Sequence, residues 1–174
     1  TPEGIEVRVH PMLIPERHPL ASVNDSFNAV FVHGDAVDDA MFYGRGAGEL
    51  PTASAVVGDI FDIARNLQYE CCGRISCTCY KQLPIKAMDD ICSKYFLRML
   101  VENEPGVLAA VTAVFGDRKV SIEQIIQKKK IGELAEIVVI TEKVKERHVK
   151  DSLKAFEEMT AVKKVSSVIR VYGE

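Results

Sequence analysis

The chain has no tryptophan, and aromatic residues make up only 7% of its 174 residues. It also lacks any apolar run near the roughly 18 residues that a membrane-spanning helix needs, so a transmembrane role is not expected. A secretory signal peptide is not expected either, because no basic segment precedes an apolar core at the start. The remaining composition, 47% hydrophobic and 27% charged, is typical of one large or two small soluble domains. Because the first residue is Thr1 rather than Met, we expect a processed or truncated piece of a longer protein.

A large net charge is absent too, but the charge is unevenly distributed. Residues 1–93 carry 7 Lys/Arg and 13 Asp/Glu, a net −6, whereas residues 94–174 carry 15 and 12, a net +3. This asymmetry favours two units, and neither value is large enough to predict nucleic-acid binding. The basic run Lys128–Lys130 is consistent with a solvated hairpin tip.

Five cysteines are present, and four of them cluster: Cys71, Cys72, Cys77 and Cys79. The odd number and the lack of a secretion signal argue against a disulfide framework. Adjacent cysteines are poor simultaneous ligands of one metal ion, and the spacing is not that of a zinc ribbon. We therefore predict a thiol-rich linker without a metal, and a metal or redox site remains the alternative.

Hydrophobic periodicity predicts short strands in the first third of the chain. Apolar and charged residues alternate over residues 5–9, as in a half-buried strand. Residues 27–32 and 39–43 are predicted to be two strands joined around the turn pair Gly34-Asp35. The prolines beside His10 and His18 indicate an irregular crossing, in which both histidines are expected to be structural rather than catalytic.

A helix and a linker are predicted next. Residues 53–65 place apolar side chains at helical spacing, with Thr52 as the expected N-cap. Asp59 and Asp62 on this helix are expected to be exposed. Residues 67–93 lose the periodicity, which predicts a linker between a region 1–66 and a region 94–174.

The last region follows a regular β-α-β-β-α-β pattern. The expected elements are a strand at 95–103, a helix at 106–116, strands at 120–128 and 134–141, a helix at 145–159 and a strand at 162–172. The expected buried stripes of the two helices are Val107, Leu108, Val111, Val114 and Phe115, and Val149, Leu153, Phe156 and Met159. This order predicts a ferredoxin-like sandwich in an α+β protein. Its uncovered sheet face and edge predict a homodimer or higher homo-oligomer.

A glycine-rich segment, Tyr43-Gly-Arg-Gly-Ala-Gly-Glu-Leu-Pro-Thr-Ala, joins the second predicted strand to the predicted helix. Glycines let the backbone approach a ligand, and amide groups at a helix start favour anions. The segment is neither a dinucleotide fingerprint, because Glu49 takes the place of the third glycine, nor a P-loop. On this chemistry alone, a tight turn and a ligand loop are equally well supported.

The run from Val7 to Asn66 resembles the last part of the catalytic region of homoserine dehydrogenase. The resemblance rests on Val9-His-Pro, His18-Pro-Leu-Ala-Ser-Val, Phe27-Asn-Ala-Val and, most specifically, the glycine-rich segment. Residues 94–174 resemble the ACT domain that follows this region in such enzymes. The resemblance implies NAD(P)-linked interconversion of L-aspartate 4-semialdehyde and L-homoserine. It places the cofactor's nicotinamide end against Gly46, with weaker candidates at Gly44, Ala47, Gly48 and Thr52.

The chain departs from the family in lacking the nucleotide-binding half and the segment with the catalytic lysine. No lysine precedes Lys81, so no residue in 1–66 can take that role and no catalytic residue is assigned. We expect the isolated chain to bind the cofactor poorly and to be inactive. The parent enzyme is expected in the cytoplasm, without a membrane or nucleic-acid partner.

The turn Asn103-Glu-Pro-Gly resembles the ACT-domain port, where amide groups at a helix start receive an amino-acid carboxylate. The resemblance implies an effector, with threonine the natural candidate, and effector contacts at Asn103, Pro105, Gly106, Val107, Leu108, Ile125 and Gln127. The family often has Asp where this chain has Asn103, which offers only a neutral hydrogen bond. An ordinary capped turn without a ligand is the alternative. For the whole chain, the alternative is a stand-alone ACT-type amino-acid-binding regulator.

Overall fold

The computed structural model describes residues 3–71 and 81–173, except the side chains of residues 129–131. The chain divides into two compact units. We call Thr1–Ile14 with Leu83–Glu174 the ferredoxin-like unit, and Pro15–Gln82 the hairpin–helix unit. The described strands are β1 (Met12–Leu13), β2 (Phe27–Gly34), β3 (Asp38–Arg45), β4 (Cys92–Glu102), β5 (Ile122–Ile131), β6 (Leu134–Thr141), β7 (Val144–Lys145) and β8 (Val162–Val171). The described α-helices are α1 (Glu49–Gln68), α2 (Val107–Asp117) and α3 (Glu146–Glu158).

The main sheet has the strand order β1-β8-β4-β6-β5. β4 pairs antiparallel with both β6 and β8, and β5 pairs antiparallel with β6. Together with α2 and α3, these four strands form the predicted ferredoxin-like fold, and the α+β class is confirmed. β1 is an additional edge strand, parallel to the end of β8, which the sequence did not predict.

The core of the ferredoxin-like unit lies between this sheet and its two helices. Alternate side chains of β4 from Ser93 to Val101 are buried, and Leu97 and Met99 are fully enclosed. Phe115 of α2 meets Phe156 of α3 edge to face, with 5.0 Å between ring centroids. Burying one such side chain stabilises the fold by about 1.5–3 kcal/mol relative to leaving it exposed. The buried apolar side chains of this unit thus pack against one another within the unit itself.

The predicted helix stripes are largely confirmed, with one correction in α2. Val107, Val111 and Phe115 are buried, but Leu108 is 40% exposed. Val107 and Leu108 both lie on the first turn of α2, and the rotation of about 100° per residue turns Leu108 away from the core that Val107 faces. Leu108 lines a small cavity beside the end of β4 instead.

The N-terminal segment, residues 3–13, corrects a second prediction. Residues 5–9 form no strand, and only Ile5 makes an isolated bridge to Ile85. Alternation is present but inverted, because Val7 and Val9 are exposed while the polar side chains are partly buried. Glu6 binds Lys86 at 3.2 Å and Arg8 donates to Ser93 Oγ at 2.6 Å. A sequence pattern that alternates every second residue shows that the segment has two different faces, but it does not show which face the rest of the protein covers.

The hairpin–helix unit contains the two predicted strands and the predicted helix. β2 and β3 pair in register from Phe27–Arg45 to Gly34–Asp38, and Gly34-Asp35 begins the turn as predicted. His33 Nδ1 lies 2.8 Å from Asp39 Oδ1 beside this turn. α1 starts four residues earlier than expected, so Thr52 is not its N-cap. Gly48 is the cap, and the Thr52 amide donates to the Gly48 carbonyl at 3.1 Å as a first helical bond.

No residue of this unit is buried in the part that the structure describes. The apolar residues of α1 are all solvent-accessible, including Val56 at 53%, Ile60 at 58% and Phe61 at 60%. On β2 and β3, Val30 and Phe42 are more than half exposed. The unit therefore presents an extended apolar surface rather than a core of its own.

Candidate functional sites

The glycine-rich segment lies where β3 ends and α1 begins, as predicted. The Gly46 amide donates to the Ser26 carbonyl at 2.9 Å, which ties the segment to the residue before β2. Gly48 has a φ of 126°, a conformation that L side chains rarely adopt. The five residues predicted to contact the cofactor therefore lie along a single connection from the end of β3 into α1. They are Gly44, Gly46, Ala47, Gly48 and Thr52, the last of which is in the first turn of α1.

Gly46 lies against the side chain of Asn28. A Cβ built on Gly46 would overlap the Asn28 carboxamide, so a larger residue fits only if Asn28 moves. In contrast, no atom of the described chain lies within 4 Å of a Cβ built on Gly44. The backbone at Gly44 is therefore open, while the backbone at Gly46 is covered by one polar side chain.

Aromatic and cationic contacts hold the base of this connection. Phe27 and Tyr43 stack with 4.9 Å between centroids and an interplanar angle of 6°. The Arg45 guanidinium lies 4.9 Å from the Phe27 ring centroid, and its Nη1 is 3.4 Å from Ser26 Oγ. A shallow depression of about 240 Å³ is lined here by Asn28, Ala29, Val30, Phe42, Tyr43, Gly44 and Arg45. These residues can contact a flat ligand, but none of them is a general acid or base suited to neutral pH.

The two histidines have structural partners, as the sequence predicts. His18 Nδ1 accepts from the Leu20 amide at 3.2 Å at the start of a 3-10 turn, and its ring lies 4.7 Å from the Phe31 ring. His10 Nδ1 lies 2.8 Å from the carbonyl of Pro11.

The second candidate site lies at the end of β4, in the ferredoxin-like unit. Asn103 follows β4, and Gly106 turns the chain into α2, which has no side-chain cap. The Asn103 amide donates to Glu133 O at 3.1 Å, and its side-chain Oδ1 accepts from Gln127 Nε2 at 3.1 Å. The start of α2 and a hydrogen-bonded side-chain pair, Asn103 after β4 and Gln127 of β5, therefore lie close together. We call this place the port.

The port encloses little space in this structure. Its cavity of about 40 Å³ is lined by Val101, Glu102, Asn103, Glu104, Val107, Leu108, Gln127, Ala135 and Ile137. A cavity of this size holds only a few water molecules, so it is too small for an amino acid. Four of the predicted effector residues, Asn103, Val107, Leu108 and Gln127, line it. Pro105 and Gly106 form the turn beside it, whereas Ile125 packs against the core.

A charged cluster that the sequence analysis missed lies at the opposite end of β4. Tyr95 Oη and Arg170 Nη2 both donate to Glu146 Oε2, the second at 2.6 Å, and the Arg170 guanidinium lies 5.6 Å from the Tyr95 ring centroid. Burial, reinforced by Glu146, raises the pKa of Tyr95. Burial alone would raise the pKa of Glu146, but the Tyr95 hydroxyl and Arg170 together hold it below its usual value. Tyr95 lies eight residues from Asn103, about 26 Å along a strand, so this cluster is not part of the port. Its role is structural, because it links β4, α3 and β8.

Neither a metal site nor a membrane segment is found among the described residues. No group of three His, Cys, Asp or Glu side chains there could hold a metal ion. Cys72, Cys77 and Cys79 lie outside the described residues, and Cys71 is exposed, with its Sγ 3.4 Å from Asn66 Oδ1. None of the helices in the described ranges is long and apolar enough to cross a membrane.

Comparison with known proteins assigns two regions of the chain to known families. Residues 2–61 match the family model of homoserine dehydrogenase, and residues 95–160 match that of the ACT domain. In chain order, these two regions therefore match part of a homoserine dehydrogenase and an ACT domain. The family that the chain matches is homoserine dehydrogenase, and relatives with that name align with it over nearly its whole length.

Three relatives define the extent of the match. A homoserine dehydrogenase from Neisseria gonorrhoeae is 43% identical over 98% of this chain and 41% of its own length. One from Bacillus subtilis is 40% identical over 97% of this chain and 40% of its own length. A crystal structure of a homoserine dehydrogenase from Thiobacillus denitrificans superposes with a TM-score of 0.84 at 37% identity, covering 98% of this chain and 39% of that one. The chain thus spans about two fifths of its relatives.

Proposed function

We propose that this chain forms the C-terminal part of a homoserine dehydrogenase and combines one wall of the cofactor site with an amino-acid sensor. The parent enzyme would interconvert L-aspartate 4-semialdehyde and L-homoserine with NAD or NADP. The observation that carries this proposal is the alignment of nearly the whole chain with relatives named homoserine dehydrogenase. The boundaries 1–66, 67–93 and 94–174 stay a prediction, which limited proteolysis would test.

The glycine-rich segment would hold the nicotinamide end of the cofactor, through Gly46 foremost and through Gly44, Ala47, Gly48 and Thr52. The open backbone at Gly44 supports this assignment, because nothing in the described chain blocks a ligand there. When bound, the cofactor supplies hydride transfer. The residues of this chain would only bind and orient it, because none before Lys81 is a lysine.

The isolated chain would be inactive. The hairpin–helix unit lacks buried residues in its described part, so it does not form a closed site by itself. The test is homoserine oxidation by the purified 174-residue chain, followed through NADH or NADPH absorbance, beside the full-length enzyme. Turnover by the isolated chain would refute the proposal.

The ACT domain would bind an amino acid, with threonine the leading candidate. Asn103 and Gln127 line the port and are hydrogen-bonded to each other, so we expect this pair to separate when an amino acid binds. Thermal denaturation of the isolated chain with L-threonine, with D-threonine as the matched control, tests the idea. We expect the melting temperature to rise with the L form alone. No rise at millimolar concentrations would favour an ordinary capped turn.

A stand-alone amino-acid regulator is the second candidate, and it is favoured by the self-sufficient core of the ferredoxin-like unit. The exposed apolar surface of the other unit argues against it, because such a surface in a free regulator would promote aggregation. We also propose that the enzyme forms homo-oligomers, as the exposed Ile126 and Val168 of the sheet lead us to expect. Its proposed location is the cytoplasm. Light scattering of the full-length enzyme would establish the subunit number.

A further inference from the structure

Asn28 is an unusual residue for its position on β2. The strand also contains Phe27, Val30, Phe31 and Val32, residues that suit a strand, whereas Asn is depleted in strands. Its side chain is exposed, and within the described residues its carboxamide has no hydrogen-bond partner. A polar side chain in this setting contributes nothing visible to the stability of the hairpin.

The surroundings of Asn28 are those of a ligand contact. It faces Gly44 across the hairpin, and Gly44 has no side chain to cover it. Its carboxamide lies over Gly46, which is held in place by the hydrogen bond to Ser26 O. It also lines the depression of about 240 Å³ together with Phe42 and Arg45. One unpaired amide group therefore stands beside the open backbone of the glycine-rich segment.

We propose that Asn28 is a cofactor-binding residue whose carboxamide contacts the nicotinamide end of NAD or NADP beside Gly46. This inference rests on the proposed function of the glycine-rich segment. A planar amide offers both a donor and an acceptor, which matches the donor and acceptor of the nicotinamide carboxamide. It also explains why residue 46 is glycine, because a Cβ there would displace the Asn28 side chain from the site.

The test uses the full-length dehydrogenase that carries this chain, with Asn28→Ala, Asn28→Asp and a matched control, Asn24→Ala. Asn24 is another exposed asparagine of the same unit, and its side chain donates to the Ser22 carbonyl at 3.1 Å. The affinity for reduced and oxidised cofactor is measured by fluorescence titration, and KM for homoserine and the melting temperature are measured in parallel. We expect Asn28→Ala to weaken cofactor binding about 5-fold, the loss of one neutral hydrogen bond. The melting temperature and KM for homoserine should not change.

Asn28→Asp supplies a signature that a purely structural role would not produce. The oxidised nicotinamide ring is positively charged and the reduced ring is neutral, so a carboxylate beside it should shift the preference toward the oxidised form. We expect the ratio of the two affinities to change about 3-fold or more in that direction. If Asn28→Ala and Asn24→Ala bind the cofactor equally well, or if the ratio is unchanged in Asn28→Asp, this inference alone is overturned. If the unmodified enzyme binds no nicotinamide cofactor, the proposed function fails with it.

Discussion

The two units of this chain differ in whether their apolar side chains are buried within the unit. The ferredoxin-like unit encloses Leu97, Met99 and Phe115 completely, and alternate residues of its central strand point into one core. The hairpin–helix unit has a comparably apolar helix, yet the apolar side chains of α1 remain accessible. Composition is therefore not what separates them. The difference is whether the partner surface belongs to the same unit.

This contrast bears on how each unit can function. The unit proposed to be the sensor has a core of its own. The unit proposed to form the cofactor wall has no buried residue in its described part, and the relatives extend by more than half of their length outside this alignment. We therefore expect the first unit to fold alone and the second to need further polypeptide.

The largest expected effect comes from a matched pair of phenylalanines. Phe115→Ala should destabilise the chain by about 3–5 kcal/mol, because Phe115 is fully buried and its loss leaves a cavity against Phe156. Phe61→Ala should change stability by less than about 0.5 kcal/mol, because that ring is 60% exposed. Urea unfolding of the 174-residue chain, followed by circular dichroism, measures both. Equal losses would show that α1 is buried in solution and would break the comparison.

The charged cluster of the ferredoxin-like unit should give the next largest effect. Glu146→Gln leaves Arg170 without its anion, and the side chains of these residues are only 12% and 17% exposed. We expect a loss of about 2 kcal/mol, below the value of about 3–5 kcal/mol for a fully buried pair, because water still reaches both groups. Glu142→Gln is the control, since its contact with Lys94 is long, at 3.9 Å, and exposed. Comparable losses in the two variants would contradict a structural role for the cluster.

The same cluster predicts how stability depends on pH. The pKa of Glu146 is lowered on folding, so its contribution is complete above the usual value of 4.5 and is lost as pH falls through the folded pKa. The pKa of Tyr95 is raised, so the unfolded chain releases this proton first, and stability should fall as pH rises above 10.0. Melting temperatures between pH 3 and 11 would show both flanks. The acid flank should become shallower in Glu146→Gln, and an unchanged acid flank would exclude Glu146 as its source.

The sequence predicted best where the pattern of a segment by itself shows which of its faces are covered. The bounds of β6 at Leu134–Thr141 agree with the predicted strand, because a nearly continuous apolar run of this length between two turns is typical of a buried central strand. The helix stripes succeeded for the same reason. At residues 5–9 the alternation was recognised, but the covered face was the polar one. Which face is covered depends on Lys86 and Ser93, about 80 residues further along the chain.

The sequence located the segments that form the candidate sites, but it did not predict the contacts that their residues make. Gly46 and Asn103 could be chosen from their local motifs. The overlap of Gly46 with Asn28 could not, because it depends on the register of β2 against β3. The bond from Gln127 to Asn103 joins residues 24 positions apart, and the cluster of Tyr95, Glu146 and Arg170 joins three elements. Such contacts need the tertiary arrangement, which periodicity does not encode.

The smallest expected effects on stability come from substituting two glycines, and these two effects have opposite signs. Gly4 has a φ of 152°, and a Cβ there would lie 2.5 Å from the carbonyl oxygen of Pro84, so Gly4→Ala should cost about 1–2 kcal/mol. We expect the loss to be limited by local detachment of residues 3–13, which would relieve the overlap. Gly58 lies in the middle of α1 with nothing within 4 Å of a Cβ, so Gly58→Ala should stabilise the helix by about 0.5–1 kcal/mol. Hydrogen exchange resolved by peptide would read both, with faster exchange at residues 3–13 in the first variant and slower exchange in α1 in the second. A loss of protection in α1 on Gly58→Ala would mean that another surface packs closely against this glycine in solution, and the hairpin–helix unit would then not be as open as the isolated chain indicates.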